Sequence, residues 1–300
     1  MTDAISAAER DRRSLMVGAG FALLAGIAFV AMDTLGKVLV QHFSFMQITW
    51  GRYFFHMLPL VLLLAVRGEL GKARTRRPAL QLFRSVLIFF SSAAFVLALR
   101  YLPLADAVTI NYSSPLLVTA LSVPLLAEKV GWRRWAAVSV GFIGVLVVIR
   151  PGMEDIHWAV SLPLMTSVAM AFYNITTRML AATDDPLTTI FYTGVVGTVV
   201  ATFVAPFVWT APGFWGWVGL FSIGFIGFVG HLAYIHAFSY APPSFLSPLT
   251  YMGLVWATLA GWSLFGQLPD LMTFVGMAII AGSGLYILYR ESVRRRERRT

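Results

Sequence analysis

Marked as hydrophobic and polar positions, the chain alternates between long apolar blocks and short polar breaks. The blocks fall at about 15–40, 46–66, 80–99, 104–126, 132–150, 157–180, 187–209, 214–240, 243–265 and 270–289. Each is close to the roughly 20 residues that a helix needs to cross a bilayer. The breaks carry turn chemistry: "HFSF", "RGELGKARTRRP", "YLPL", "EKVGW", "RPGMED", "TDDP", "TAPG", "YAPP" and "GQLPD". The pattern therefore predicts an all-α polytopic membrane protein with ten transmembrane helices.

Composition agrees. Hydrophobic residues make up 58% of the 300 residues and charged ones 12%, with a mean hydropathy of +0.75. A soluble chain of this length needs much more polar surface. The first block is too long for a signal-peptide core and is interrupted by Asp33 and Lys37, so it reads as a retained span.

The net charge of +9 does not imply a nucleic acid. The positives sit at Arg10, Arg12 and Arg13, in the connection 67–79, around 127–134, and from Arg290 to Arg299. All fall between or beyond spans and on one side, which is the positive-inside pattern with both termini cytoplasmic. The absence of cysteine excludes disulfides and thiolate metal sites and is compatible with a bacterial inner (plasma) membrane.

The chain repeats itself. A shift of 139 places Ala94, Ala98, Tyr101, Pro103, Tyr112 and Thr119 on Ala233, Ala237, Tyr240, Pro242, Tyr251 and Thr258. A shift of 141 puts Asp33 and Lys37 on Asn174 and Arg178, and one of 140 puts Gly144 and Arg150 on Gly284 and Arg290. The organisation predicted is a cytoplasmic segment 1–14, a five-helix repeat 15–150, an external linker 151–156, a second repeat 157–290 and a basic tail 291–300. Because five is odd, the second repeat must be inverted. Secondary transporters often have this design, with substrate sites near the midplane between the halves.

Polar chemistry concentrates in spans 4 and 9. Tyr112 and Tyr251 each lie nine residues after a helix-start proline, Pro103 or Pro242. Nine residues of helix rise about 13 Å, near the half-thickness of about 15 Å, so the two tyrosines converge from opposite sides. Pro115 cannot bond the carbonyl of Asn111, nor Pro248 that of Ser244. A freed carbonyl at membrane depth belongs beside protein or a cavity. Asn111, Ser113, Ser247 and Thr250 stand close by in sequence. Either these groups line a cavity or they bind helices to one another.

Span 8 adds His231, Tyr234 and His236. The histidines are five apart and do not share a helix face, so a metal pair is not expected. Gly224, Gly227 and Gly230 read as a packing stripe. Asp33 is the acidic residue deepest within a span. Lys37, one turn on, and Arg52 in span 2 are its candidate partners, for an ion pair, a gate or a coupling site. No GxxxxGK[ST], HExxH or nucleophile elbow occurs, so no enzyme activity, nucleotide site, metal or cofactor is expected.

The stretch "ALRYLPLADAVTINYSSPLLVTALSVPLLAEKVGWRRWAAVSVGFIGVLVVIRP" resembles the EamA-type exporters of the drug/metabolite transporter superfamily. Tyr101, Pro115, Glu128, Gly141 and Gly144 carry the likeness, and Asp33, Lys37 and Arg52 look like family positions. In detail the chain is similar to that group's aromatic amino acid exporters. Gln267 departs from a glutamate common in the family, so no coupling role is given to Glu128.

The resemblance implies export of aromatic and other neutral amino acids by alternating access through a central cavity. Drugs, other small metabolites and, less readily, nucleotide-linked sugars are the alternative. Asn111, Tyr112, Ser113, His231, Tyr234, Ser244, Ser247, Tyr251 and Trp256 are the expected cavity residues. Asn111, Tyr112, Ser244 and Tyr251 suit a zwitterion, and Tyr234 with Trp256 suits an apolar side chain. The expected partners are a small-molecule substrate and the bilayer; one chain suffices for the path, and a dimer is compatible with it.

Overall fold

The computed structural model describes residues 2–68, 74–128, 130–151, 157–181 and 183–297, with the side chains of 2–12, 243–244, 291–292 and 294–297 outside the description. The linker positions 152–156 and the end of the tail, 298–300, therefore lie outside the described residues. What is described is all-helical: α1 (Thr2–Leu39), α2 (Phe45–Val66), α3 (Pro78–Tyr101), α4 (Leu104–Asn111), α5 (Ser114–Leu126), α6 (Trp132–Ile149), α7 (Ser161–Leu180), α8 (Pro186–Val204), α9 (Phe214–Tyr240), α10 (Pro243–Thr250), α11 (Met252–Phe265) and α12 (Leu271–Glu297). Short 3₁₀ turns precede α7 and follow α8.

Among the described residues, nine segments are long and apolar enough to cross a membrane, α4 with α5 counting as one. The apolar block 243–265 makes a tenth, divided into α10 and α11. Segment 1–14 is helical from Thr2 and continuous with the first span in α1, and α12 runs on from the last span to Glu297.

Helix starts follow local chemistry. Ser44 Oγ accepts from Gln47 N at 3.1 Å and caps α2, while Asp185 Oδ1 accepts from Leu187 N at 2.8 Å and caps α8. Proline occupies the first turn of α3, α8 and α10, where its missing N–H costs nothing. Two corners match across the shift of 139. Ala127, ending α5, has φ of +52°, and Gly266, ending α11, has φ of +63°. The amide after each corner bonds back to the same position, Glu128 N to Ser122 O at 3.3 Å and Gln267 N to Gly261 O at 3.0 Å.

The helix contacts fall into corresponding pairs. α1 packs along α9 as α3 packs along α7, and α2 meets α9 as α8 meets α3. α1 with α11 corresponds to α7 with α5, and α6 lies against α12. The glycine stripe of α9 is a packing surface. Gly224, Gly227 and Gly230 are buried, and a Cβ on Gly224 would lie 2.6 Å from Phe55 Cβ and 2.8 Å from Gly51 O. In the middle of the bundle, Val30, Phe95, Leu99, Leu104, Tyr251 and Leu254 form a core against which Tyr112 and Trp256 pack. Tyr251 is thus both a core residue and a predicted site residue.

Candidate functional site

Both site-bearing spans are broken at the predicted tyrosine. α4 stops at Asn111 and α5 starts at Ser114, with Tyr112 and Ser113 between them. α10 stops at Thr250 and α11 starts at Met252, with Tyr251 at the junction. Pro103 and Pro242 stand at the N-caps of α4 and α10 in extended conformation. Pro115 opens α5 in its first turn, whereas Pro248 lies inside α10 ahead of the break.

At the breaks, backbone carbonyls also accept from side-chain hydroxyls of other spans. Tyr112 Oη donates to Thr250 O at 2.7 Å. Ser167 Oγ of α7 lies 3.0 Å from Ile110 O, with Pro163 O of its own helix at 2.8 Å. The Tyr112 and Tyr251 rings face each other with centroids 5.5 Å apart and planes at 44°. Tyr112 is half-buried and Tyr251 is 8% exposed. Gly253 lies so close to the Tyr112 hydroxyl, and Gly284 to that of Tyr251, that a Cβ at either would overlap it.

Beside this pair are polar atoms with no protein partner among the described residues: Asn111 Oδ1, Ser113 Oγ and Trp256 Nε1. Buried unpartnered groups of this kind call for water or a ligand. Ser247 is half-buried in α10, and the side chain of Ser244 lies outside the described residues. His231 places Nδ1 2.8 Å from Gly227 O and meets Phe29 edge-on at 5.0 Å and His56 at 5.2 Å. Tyr234 contacts Phe238 at 4.9 Å and Phe29 at 6.4 Å.

The charged residues divide differently from expectation. Asp33 Oδ1 faces Arg52 Nη1 at 3.9 Å, both side chains about a fifth exposed. Lys37 does not join them. Its Nζ donates to Leu102 O at 2.6 Å and Leu99 O at 3.2 Å, which caps the C-terminus of α3. The last carbonyls of a helix have no partner within it, so they are open to accept from this buried ammonium.

Two features escape sequence reasoning. The first is His56, buried beside His231. The second is Arg84 of α3, 2% exposed, hydrogen-bonded to Thr177 Oγ1 at 2.6 Å, Thr193 Oγ1 at 2.7 Å, Thr189 O at 3.1 Å and Tyr173 Oη at 2.5 Å. Its signal was a lone arginine six residues inside an apolar span. Asp184, in the turn before α8, is held by several donors. Asp184 accepts from Thr75, from Gln81 Nε2 at 2.8 Å and from Arg76 N at 3.3 Å. Desolvation raises its pKa, but these bonds outweigh that and hold the carboxyl below its usual range.

Helices long and apolar enough to cross a membrane, two of these spans broken at facing tyrosines beside unpartnered polar atoms, define a multi-pass helical membrane protein. The chain belongs to the EamA-like transporter family, which matches residues 16–150 and again 157–289. It is 27% identical to a S-adenosylmethionine uptake transporter of Rickettsia felis, covering 93% of this chain and 95% of that one. It is 29% identical to a riboflavin transporter of Vibrio cholerae, over 94% and 96% of the two chains. A pseudopaline exporter of Pseudomonas aeruginosa is 26% identical over 89% and 94%. A solved crystal structure shares the fold with a TM-score of 0.63 and 16% identity, covering 95% of this chain and 99% of that one. The membership is shown; the narrower likeness to aromatic amino acid exporters is not what these relatives carry in their names.

Proposed function

We infer that the protein is a secondary transporter carrying a small organic metabolite across the bacterial inner membrane, by alternating access to the cavity around Tyr112 and Tyr251. The carrying observation is the pair of broken spans, each with a carbonyl at the break, Thr250 O and Ile110 O, reached by a hydroxyl of the other half. Such contacts are suited to breaking and remaking as one half rocks against the other.

The halves are taken as inverted repeats with both termini cytoplasmic. Supporting this are the paired helix contacts, the twofold family match and the basic connections on one side. Asn111, Ser113, His231, Tyr234, Ser247 and Trp256 complete the cavity, with Ser244 assigned from its sequence position, and the Asp33–Arg52 pair is its gating or coupling element. Pro103, Pro115, Pro242 and Pro248 are the hinge and helix-start positions.

The substrate is assigned as a metabolite with a planar aromatic or heteroaromatic part. Aromatic walls favour stacking, and S-adenosylmethionine and riboflavin, which appear in the relatives' names, both contain such rings. Amino acid export alone has no comparable support. The test is flux in proteoliposomes holding only this protein, in both directions, for S-adenosylmethionine, riboflavin and an aromatic amino acid. Saturable flux of at least one, lost in Tyr112→Ala while the protein still inserts, is expected. Unchanged flux in both Tyr112→Ala and Tyr251→Ala would sink the site. An imposed pH gradient decides the Asp33 role, since flux indifferent to it removes proton coupling.

A further inference from the structure

Arg84 lies six residues after Pro78 at the start of α3, about 9 Å along the helix from the end that bears the basic connections. It is a cation in a place that has no anion for it. Its acceptors are three hydroxyls and one carbonyl, all neutral. The guanidinium also lies 4.2 Å from the centroid of the Tyr173 ring. Among the described residues no carboxylate forms a salt bridge with it, and Asp184, which bonds Gln81 one turn earlier on α3, is engaged by Thr75 as well.

A full charge buried at this depth without a counter-charge is costly. Hydroxyls solvate it only in part, so an anion arriving there gains an unusually large interaction. The same buried stripe of α3 carries Ser85 and Ser92, 0% and 5% exposed, whose hydroxyls have no hydrogen-bond partner among the described residues. Positions 81, 84, 85, 88 and 92 share a helix face about 100° wide. Four of them, Gln81, Arg84, Ser85 and Ser92, are polar and buried, and the face is interrupted by Ile88.

The acceptors of Arg84 come from α7 and α8, which belong to the other half of the chain. Separation of α3 from those helices would take the hydroxyls away and leave the fork of guanidinium N–H groups facing the mouth. A carboxylate or phosphate fits that fork in a bidentate manner, which a hydroxyl cannot do. We propose that Arg84 is an anion-recognition subsite at the basic mouth, selecting solutes that carry a carboxylate or phosphate and exchanging that group with the hydroxyls of Tyr173, Thr177 and Thr193. The proposal rests on the transporter reading above and adds a substrate class to it.

The test uses the full chain in vesicles of phosphatidylcholine alone, with phenylacetate, its neutral counterpart phenylacetamide, and inorganic phosphate as probes. Thermal stability and competition with transported solute are both measured. Phenylacetate or phosphate should stabilise the wild type and compete, and phenylacetamide should not. Arg84→Gln should weaken that response about tenfold or more, the scale of a lost hydrogen bond to a charged group, while flux of a neutral solute persists. Arg84→Lys should retain part of it, since the charge remains and the fork is lost.

Equal responses of the wild type to phenylacetate and phenylacetamide would overturn the proposal, and that comparison needs no variant to fold. Loss of neutral and anionic flux alike in a folded Arg84→Gln would also overturn it, leaving only a tie between halves. A response to added phosphatidylglycerol with none to soluble anions would assign the site to lipid instead. Absence of all flux with discrimination in the stability assay intact would count against the transporter reading and not against the subsite.

Discussion

The break between α4 and α5 and the break between α10 and α11 occupy the same place in the two halves, 139 residues apart, yet they are made differently. In the first, Pro115 follows the tyrosine by three residues and opens the new helix. In the second, Pro248 precedes it by three residues and distorts the helix that is ending, so that Tyr251 N reaches back only to Pro248 O, at 3.2 Å. The prolines do not correspond under the shift, but the tyrosines do. What is held constant is a tyrosine at the junction of two helices, while the nearby proline falls on opposite sides of it in the two halves.

The two tyrosines have also diverged. Tyr251 is sunk in the core with its hydroxyl against Gly284, whereas Tyr112 is half-buried and spans the halves to Thr250. Replacing each by alanine breaks this comparison most sharply. Tyr251→Ala should cost about 3–5 kcal/mol, the range for deleting a buried aromatic, and Tyr112→Ala distinctly less. Thermal unfolding in detergent measures both, and equal losses would mean that the two rings are equally structural.

Next in size are the glycines that receive the hydroxyls. Gly284→Ala should destabilise by about 1–3 kcal/mol through overpacking, because the buried Tyr251 ring has nowhere to go. Gly253→Ala should cost less, since the half-buried Tyr112 ring has more room to shift, and on the proposed function it should reduce transport. Unfolding temperature and flux, compared for the two variants, separate the effects.

The carbonyl contacts give a smaller contrast. Tyr112→Phe leaves Thr250 O without its donor, a cost of about 1–3 kcal/mol if the carbonyl stays dry. Ser167→Ala should cost under about 1 kcal/mol, because Ile110 O also accepts from Ser113 N at 3.0 Å. A cost for Ser167→Ala matching that of Tyr112→Phe would show that the α7 contact is as indispensable as the cross-half tyrosine.

The smallest effect lies away from the breaks, where Arg150 after α6 pairs with Asp270 before α12. The Arg150 hydrogen bond, and then the Thr273 amide, hold the Asp270 carboxyl down at about 2. A folded-state pKa below the unfolded value means stability present above about pH 4 and lost as pH falls toward 2. The pair is well exposed, so screening limits the effect to under about 1 kcal/mol. The difference in unfolding temperature between wild type and Asp270→Asn should hold from pH 7 to about 4 and shrink below that.

Much of this was legible in the chain, for physical reasons that differ by residue. The spans could be read because a bilayer imposes length and apolarity together. The tyrosine positions could be read because identical residues recur at one shift. Lys37 was misread because proximity on a helix suggested Asp33, and sequence does not show where a neighbouring helix exposes its last carbonyls. The partners of Arg84 lie 89 to 109 positions away, in hydroxyl-bearing residues common in any apolar span, so neither the network nor its lack of a carboxylate had a linear signature. Pro248 marked the right region for an incomplete reason, since the chain breaks at Tyr251 and not at the carbonyl opposite the proline.

The paired corners after α5 and α11 match in shape but not in cost. Gly266 takes its left-handed backbone freely, while Ala127 adopts nearly the same φ with a Cβ in the way, at a steric cost of roughly 1–2 kcal/mol. The same bend is thus made by two different residues, and the copy with the Cβ carries a strain that the other does not. Ala127→Gly would relieve part of that strain, less the ~0.5–1 kcal/mol of freedom that glycine loses on ordering, at a corner away from the two tyrosines.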